Sequence, residues 1–348
     1  MLKVKFKNSK KLLKVLGTCE NILKKNKVKN KLQYIKLKKV NDKLYIVARN
    51  PFMRLGYYVE NVISIEGDSA LYDYKTLISL LNVLEDEIEI NDSEIKNKNC
   101  NYTIPSIDTE GYSEDLLPNI INKKELNTEE FKEAIIKVMP ATNPVIDILS
   151  GVYLDKNKIV TCDQNRIFIN KINTQTDLDE IILPRELVNE YLKLPFTEKT
   201  YISIFGNNII LEDQNLLISC NSINKKYPKY EMMLPKKEKN KATFKRKDLE
   251  KAINLMLPII NNNTRIIDLN FRNSSIDVSC KNGNKTGHTN IDIESNIIED
   301  FTVLFNAQYL LDMLKAHKEE IEITTYEDNI GFKFESNLSN QFIMPLLS

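Results

Sequence analysis

The residue types that most often carry catalysis are few in this chain and poorly placed for it. The two histidines, His288 and His317, stand alone, the first in a polar loop and the second at the end of a helical pattern, where a surface place favourable to the helix dipole suits it. The five cysteines, Cys19, Cys100, Cys162, Cys220 and Cys280, are far apart and form no CxxC pair. Neither a disulfide framework nor a zinc site is expected of them, and they read as small buried residues. Nine glycines form no phosphate-binding GxxxxGK, no GxGxxG and no GxSxG, and HExxH is absent. The acid clusters Glu85–Glu87 and Glu110–Asp115 lie in turn-like charged stretches and read as solvated loops rather than divalent-metal cages. No catalytic group, cofactor or metal is expected.

The chemistry that the spacing favours is contact with phosphate. Lys10 and Lys14 lie four apart on one helical face, and Lys247 and Lys251 repeat that spacing. Such positions give affinity for nucleic acid without sequence specificity. Lys24, Lys25, Lys132 and Lys137 join them as candidates, although Glu129 and Glu133 occupy the positions equivalent to the lysine pairs in the middle of the chain. Charge is segregated: residues 1–50 carry 16 basic and two acidic residues, whereas residues 51–125 carry 6 basic and 15 acidic ones. The basic segment reads either as an electrostatic footprint for nucleic acid or as the solvated lysine of a chain rich in Lys, Asn and Ile.

The elements that would position these lysines form a repeat. SKKLLKVLGTCENIL from Ser9, NTEEFKEAIIKVM from Asn127 and FKRKDLEKAINLML from Phe244 each open polar and then place apolar residues at helical spacing. Leu12, Val15 and Leu16 correspond to Phe131, Ala134 and Ile135, and to Leu249, Ala252 and Ile253, at offsets of 119 and 118 residues. A second helical segment follows in each unit, at YDYKTLISLLNVL, PRELVNEYLKL and NAQYLLDMLKAH, with Pro184 suited to a first turn and Asn306 to an N-cap. Alternating strand sequence comes after each, and each unit ends on a strand running into proline: YTIPSI, KYPKYEMMLP and QFIMPLL. The expected fold is α+β, with three similar domains at 1–123, 124–241 and 242–348, each with two helices on antiparallel sheets. Boundaries are expected in the polar stretches Asn119–Asn127 and Lys236–Thr243. No apolar run approaches the ~20 residues that span a bilayer, and MLKVKFKNSKK holds no apolar signal core, so a cytoplasmic protein is expected. Successive equivalent domains that contact one another head to tail close into a ring when the rotation allows.

At this point the residues carry a family likeness. DILSGVYLDKNKIVTCDQNRIFI, YPKYEMMLP, FNAQYLLDML and QFIMPLLS, in that order, resemble stretches of the bacterial sliding clamps, the beta subunits of DNA polymerase III. The resemblance implies the DNA clamp fold, a head-to-tail homodimeric ring around duplex DNA, a clamp loader, and a groove for the peptides of the DNA polymerase III alpha subunit and other clients. Carried over residue by residue, that groove comprises Leu149, Cys162, Gln164, Asn165, Arg166 and Ile167; Pro228, Met232 and Met233; and Asn306, Tyr309, Phe342, Ile343, Met344 and Pro345. Leu149, Ile167, Met233, Ile343 and Met344 would make an adaptable apolar surface, with Arg166 and Asn306 as polar contacts at its edge. Three departures stand out: Gln164 and Asn165 replace a glycine–histidine pair, Met232 stands where arginine is common, and the loop Ala141–Ile148 lacks the family's arginine and tyrosines. For the dimer edge, the resemblance pairs Tyr102 and Ile104 with Ile259 and Ile260 of a second copy. A clamp paralogue of a mobile element or virus with restricted clients, and a monomeric DNA-binding scaffold, remain as alternatives.

Overall fold

The computed structural model describes residues 2–24, 33–84, 86–104, 107, 122–174, 180–327 and 331–346. The helical stripes form as their spacing predicts. Helix α1 (Lys10–Lys24) buries Leu12, Val15 and Leu16; α3 (Thr128–Val138) buries Phe131, Ala134 and Ile135; α6 (Arg246–Met256) buries Leu249, Ala252 and Ile253. The second helical pattern of each unit is α2 (Tyr74–Val83), α5 (Arg185–Lys193) and α7 (Ala307–Leu314). Asp73 caps α2 and Asn306 caps α7, each side chain accepting a backbone N–H of the first turn, at Thr76 and Gln308. One four-residue helix, α4 (Asp147–Ser150), lies between α3 and α5.

Two compact units result: 1–128 with 186–222, and 129–185 with 223–348. The first holds an eight-stranded antiparallel sheet in the order Lys124–Asn127, Lys199–Phe205, Asn208–Glu212, Leu216–Asn221, Met53–Val59, Lys43–Arg49, Tyr34–Val40 and Ser69–Asp73. Within it, Leu216–Asn221 pairs with Met53–Val59, so strands from two repeats share one sheet. A five-stranded sheet ends at Asn101–Thr103, and α1 packs on Lys43–Arg49 and Met53–Val59.

The second unit follows the same plan. Its nine-stranded antiparallel sheet runs Ile181–Leu183, Val152–Asp155, Lys158–Cys162, Arg166–Lys171, Ser339–Ile343, Phe332–Ser336, Glu320–Tyr326, Glu238–Lys245 and Glu294–Ser295. The seam is the pairing of Arg166–Lys171 with Ser339–Ile343. A four-stranded sheet, with edges Lys285–Asp292 and Phe301–Asn306, packs under α6 and α7. Phe271, Phe301 and Phe305 of this sheet meet Phe332 and Phe334 of the nine-stranded one in an aromatic core, with Phe271 and Phe301 stacked at 4.9 Å.

Several expectations need correcting. The segment KYPKYEMMLP does not end on a strand but on a 3-10 turn, Tyr230–Met233, because Tyr227 and Tyr230 turn inward together. The polar stretch Lys236–Thr243 runs into the strand Glu238–Lys245, held by Glu320–Tyr326. His288 lies on the strand Lys285–Asp292, not in a loop. His317 is buried, 4 % exposed, with Nδ1 2.6 Å from Ser336 Oγ. Cys100 alone among the cysteines is exposed, in a turn where Asn97 Oδ1 accepts its N–H. Glu85 and the cluster Glu110–Asp115 lie outside the described residues.

Gly151, which joins α4 to the strand Val152–Asp155, marks a close approach: a Cβ there would stand 2.5 Å from the Leu183 carbonyl oxygen and 2.7 Å from Ile182 Cγ2. Gly151→Ala should therefore cost about 1–3 kcal/mol of stability, read from the midpoint of a urea titration.

Candidate functional site

Strand alternation decides which groove candidates meet. In the seam, Ile167 lies opposite Phe342 and Arg166 opposite Ile343, and paired residues share a face. On one face Ile167 and Phe342 join Leu149, Tyr153, Val160, Cys162, Ile169, Ile182, Tyr227 and Tyr230 in an apolar cluster. Above the seam opens a shallow, mostly apolar cleft. It is lined by Cys162, Gln164, Asn165, Arg166, Ile167, Met233, Phe342, Ile343 and Met344, together with Pro235 and Gly331.

The 3-10 turn that brings Met233 to the cleft stands on a tyrosine platform. Tyr153 and Tyr227 stack at 4.4 Å with an interplanar angle of 5°, and Tyr230 meets Tyr153 edge-on. The Tyr230 hydroxyl donates to Asp155 Oδ2 at 2.8 Å, and burial with this acceptor pushes its pKa up. With both tyrosines turned in, the residues after them turn out: Met232 is 76 % exposed and Met233 47 %. Leu149 lies in the cluster beneath the cleft rather than on its wall. Pro228, Met232 and Pro345 are not among the cleft-lining residues.

The turn into the seam strand is an Asx turn. Asp163 Oδ1 accepts the N–H groups of Asn165 and Arg166 at 3.1 and 3.0 Å, while Gln164 takes φ of +80°. That left-handed conformation favours glycine, the residue Gln164 replaces in the family likeness. The Met344 N–H donates to the Asn165 carbonyl at 2.9 Å and locks the last strand to this turn. Cys162 is buried in the cleft wall, and burial pushes its thiol pKa up.

Arg166 and Asn306 do not supply free polar contacts at the edge. Arg166 borders the cleft, but its side chain lies on the other face of the sheet, 6 % exposed. Its guanidinium donates to Asp163 Oδ2 at 2.8 Å, to Asp312 Oδ2 at 3.0 Å and to the Pro140 carbonyl at 2.6 Å. The ring of Tyr309 lies 4.0 Å from it, a cation–π contact. Tyr309 thus serves Arg166 from behind the cleft, and Asn306 is occupied as the N-cap of α7. Asp163, Asp312, Pro140, Pro235, Gly331 and the tyrosine platform escaped the sequence reading, although the Tyr-x-x-Tyr spacing at Tyr227 and Tyr230 signals a shared face.

The lysines divide. Lys10 and Lys14 on α1, and Lys247 and Lys251 on α6, are exposed and engage no acid among the described residues. Lys24 pairs with Glu20 at 2.8 Å and Lys137 with Glu133 at 3.2 Å, while Lys132 is half-buried. Lys25 lies outside the described residues. Of the dimer candidates, Ile104 and Ile260 are buried in their own units, and the Ile260 N–H donates to the Met256 carbonyl. Tyr102 and Ile259 are half-buried. Among the described residues, the strands beside them that end their sheets are Asn101–Thr103 and Lys285–Asp292.

Among the described residues no group of three His, Cys, Asp or Glu could hold a metal, and no helix is long and apolar enough to cross a membrane.

Asp312→Ala leaves a buried guanidinium short of one acceptor and should cost ~3–5 kcal/mol in chemical denaturation. His317 gives a pH dependence. Burial, with Lys137 and Arg246 adding to it and Gln341 opposing, lowers its pKa from 6.5 to about 4. The neutral folded imidazole therefore stabilises fully above pH ~6.5, and that contribution is lost as pH falls from there toward 4, by up to ~1.4 kcal/mol per unit. Between pH 7 and 5 the denaturation midpoint should fall in the wild type, and His317→Gln should flatten that slope.

Comparison with known proteins follows the same lines. Residues 231–344 match the family described as DNA polymerase III beta subunit, C-terminal domain. The chain is 23 % identical to the beta sliding clamp of Rickettsia felis over 97 % of its own length and 98 % of the relative's. It is 22 % identical to that of Helicobacter pylori over 81 % and 80 %. Among solved structures, the DNA polymerase III subunit beta of Pseudomonas aeruginosa superposes with a TM-score of 0.88 at 16 % identity, covering 99 % of this chain and all of that one. The beta subunit of Thermotoga maritima gives 0.84 at 17 % identity, with both chains covered in full. The chain thus has the DNA clamp fold, and it resembles the bacterial sliding clamps, the beta subunits of DNA polymerase III, over nearly its whole length.

Proposed function

We propose that this chain is a DNA sliding clamp, a processivity factor that encircles duplex DNA and tethers replication proteins without catalysing a reaction itself. The observation that carries the reading is the full-length likeness to beta sliding clamps, joined to an apolar cleft open at the seam of the nine-stranded sheet. In this reading three domains, 1–123, 124–241 and 242–348, repeat the helix pair, and two copies close a six-domain ring in the cytoplasm. Its partners are duplex DNA, a clamp loader, the DNA polymerase III alpha subunit and other proteins with clamp-binding peptides.

Physical chemistry supports each part. Exposed Lys10, Lys14, Lys247 and Lys251 sit opposite the buried stripes of their helices, where phosphate contact needs no base readout. Asn101–Thr103 and Lys285–Asp292, which end their sheets among the described residues, offer strand addition between two copies, with Tyr102 and Ile259 beside it. The cleft suits the aliphatic or aromatic anchors of an extended peptide. The alternative, a clamp paralogue with a restricted client set, rests on Gln164 and Asn165 in the cleft lining, where the likeness has a glycine–histidine pair.

The test is retention on DNA. Loaded onto circular DNA, the protein should stay bound in high salt and be released when the circle is cut. Release by salt alone, with no response to linearisation, would show an electrostatic binder and sink the ring.

A further inference from the structure

We propose that Met233 and Met344 form a peroxide-sensitive site that switches the cleft from apolar to polar; the consequence for binding rests on the proposed peptide groove. The distribution of methionine is the first observation. Met53, Met256 and Met313 are buried, and Met139 is half-buried. The three exposed methionines among the described residues, Met232, Met233 and Met344, all stand in the segments that frame this one cleft, and Met233 and Met344 line it. Met233 is 47 % exposed and Met344 37 %, so both meet water without any opening of the fold.

The chemistry is a two-electron oxygen transfer. A thioether lone pair attacks the distal oxygen of a hydroperoxide, an S–O bond forms as the O–O bond breaks, and the leaving oxygen takes up the proton and departs as water or alcohol. The sulfur is oxidised to a sulfoxide and the peroxide is reduced; a methionine sulfoxide reductase reverses the change with electrons from thiols. The neighbouring Cys162 does not compete, since it is buried and its thiol pKa is raised.

The second observation is what the cleft offers the new oxygen. The strongest donor bordering it, the Arg166 guanidinium, lies on the other face of the sheet and is held by Asp163, Asp312 and the Pro140 carbonyl. The Met344 N–H is already donated to the Asn165 carbonyl, and the remaining donors, the Gln164 and Asn165 amides, sit on exposed side chains that nothing among the described residues holds over the cleft. A sulfoxide covered by an apolar peptide anchor therefore loses its water without a fixed replacement, and affinity falls.

The experiment uses the full chain, limiting hydrogen peroxide, and a fluorescein-labelled Gln-Leu-Ser-Leu-Phe peptide as probe. Peptide mapping by mass spectrometry should find one added oxygen at Met233 and Met344 before Met53, Met256 or Met313. Fluorescence anisotropy should show the probe binding about tenfold or more weakly after oxidation, with recovery on treatment with sulfoxide reductases for both epimers. In M233L/M344L, the ratio of affinities before and after peroxide should stay near one, which also separates the effect from oxidation of exposed Cys100. Oxidation of both methionines with unchanged binding, or the same loss in the double variant, overturns the proposal and leaves the groove reading intact. Failure of the untreated chain to bind the probe overturns both.

Discussion

The pairing of Arg166–Lys171 with Ser339–Ile343 is the contact on which the second unit depends. These strands are about 170 residues apart in the chain, yet their ladder joins two groups of strands into one nine-stranded sheet. The loop closed by that ladder costs entropy that grows only slowly with length, whereas each added residue pair brings backbone hydrogen bonds and buried side chains. Because strand side chains alternate, the same register sets two environments at once. It places Ile167 and Phe342 under an open apolar cleft, and Arg166, Gln341 and Ile343 against the helices behind it. A one-residue slip of Arg166–Lys171 would put the guanidinium in the cleft and Ile167 behind it.

The two faces of the seam explain each other. Behind it, Arg166 is tied to Asp163 within its own turn, to Asp312 on α7 and to the Pro140 carbonyl beyond α3. Such a buried ion pair contributes little net stability but is costly to leave half-made, so it selects the arrangement in which all three partners are present. In front, the apolar cluster and the tyrosine platform hold the methionine-bearing turn at the cleft edge. The cleft can then be shaped by rigid elements while its flexible thioethers adapt.

Much of this was legible beforehand. The apolar stripes of α1, α3 and α6 were readable because a helical period is local, and the Asn306 cap because it needs only its own first turn. Nine of the fifteen groove candidates line the cleft, each near one of three short segments read in order. What could not be read was orientation. Arg166 looked like a rim cation, since nothing in DQNRIFI says which strand face will meet α7. His317 looked exposed at a helix end, but it is buried against Ser336 and Gln341 on strands of the nine-stranded sheet. Gly331 lay outside every quoted segment, and Pro235, though it ends YPKYEMMLP, was not singled out; both reach the cleft only through the fold.

The amino-acid sequence by itself determined the repeated helix pairs, the antiparallel α+β class, the segregation of basic residues and the order of the motif-bearing segments. All of these rest on periodicity, capping and composition, which are properties of neighbours in the chain. Only the tertiary structure decided which strands continue one another's sheets, which side of the seam each residue faces, and that the exposed methionines gather at one cleft. Those outcomes depend on register between distant strands, and register is settled by burial and pairing across the whole sheet rather than by any local preference.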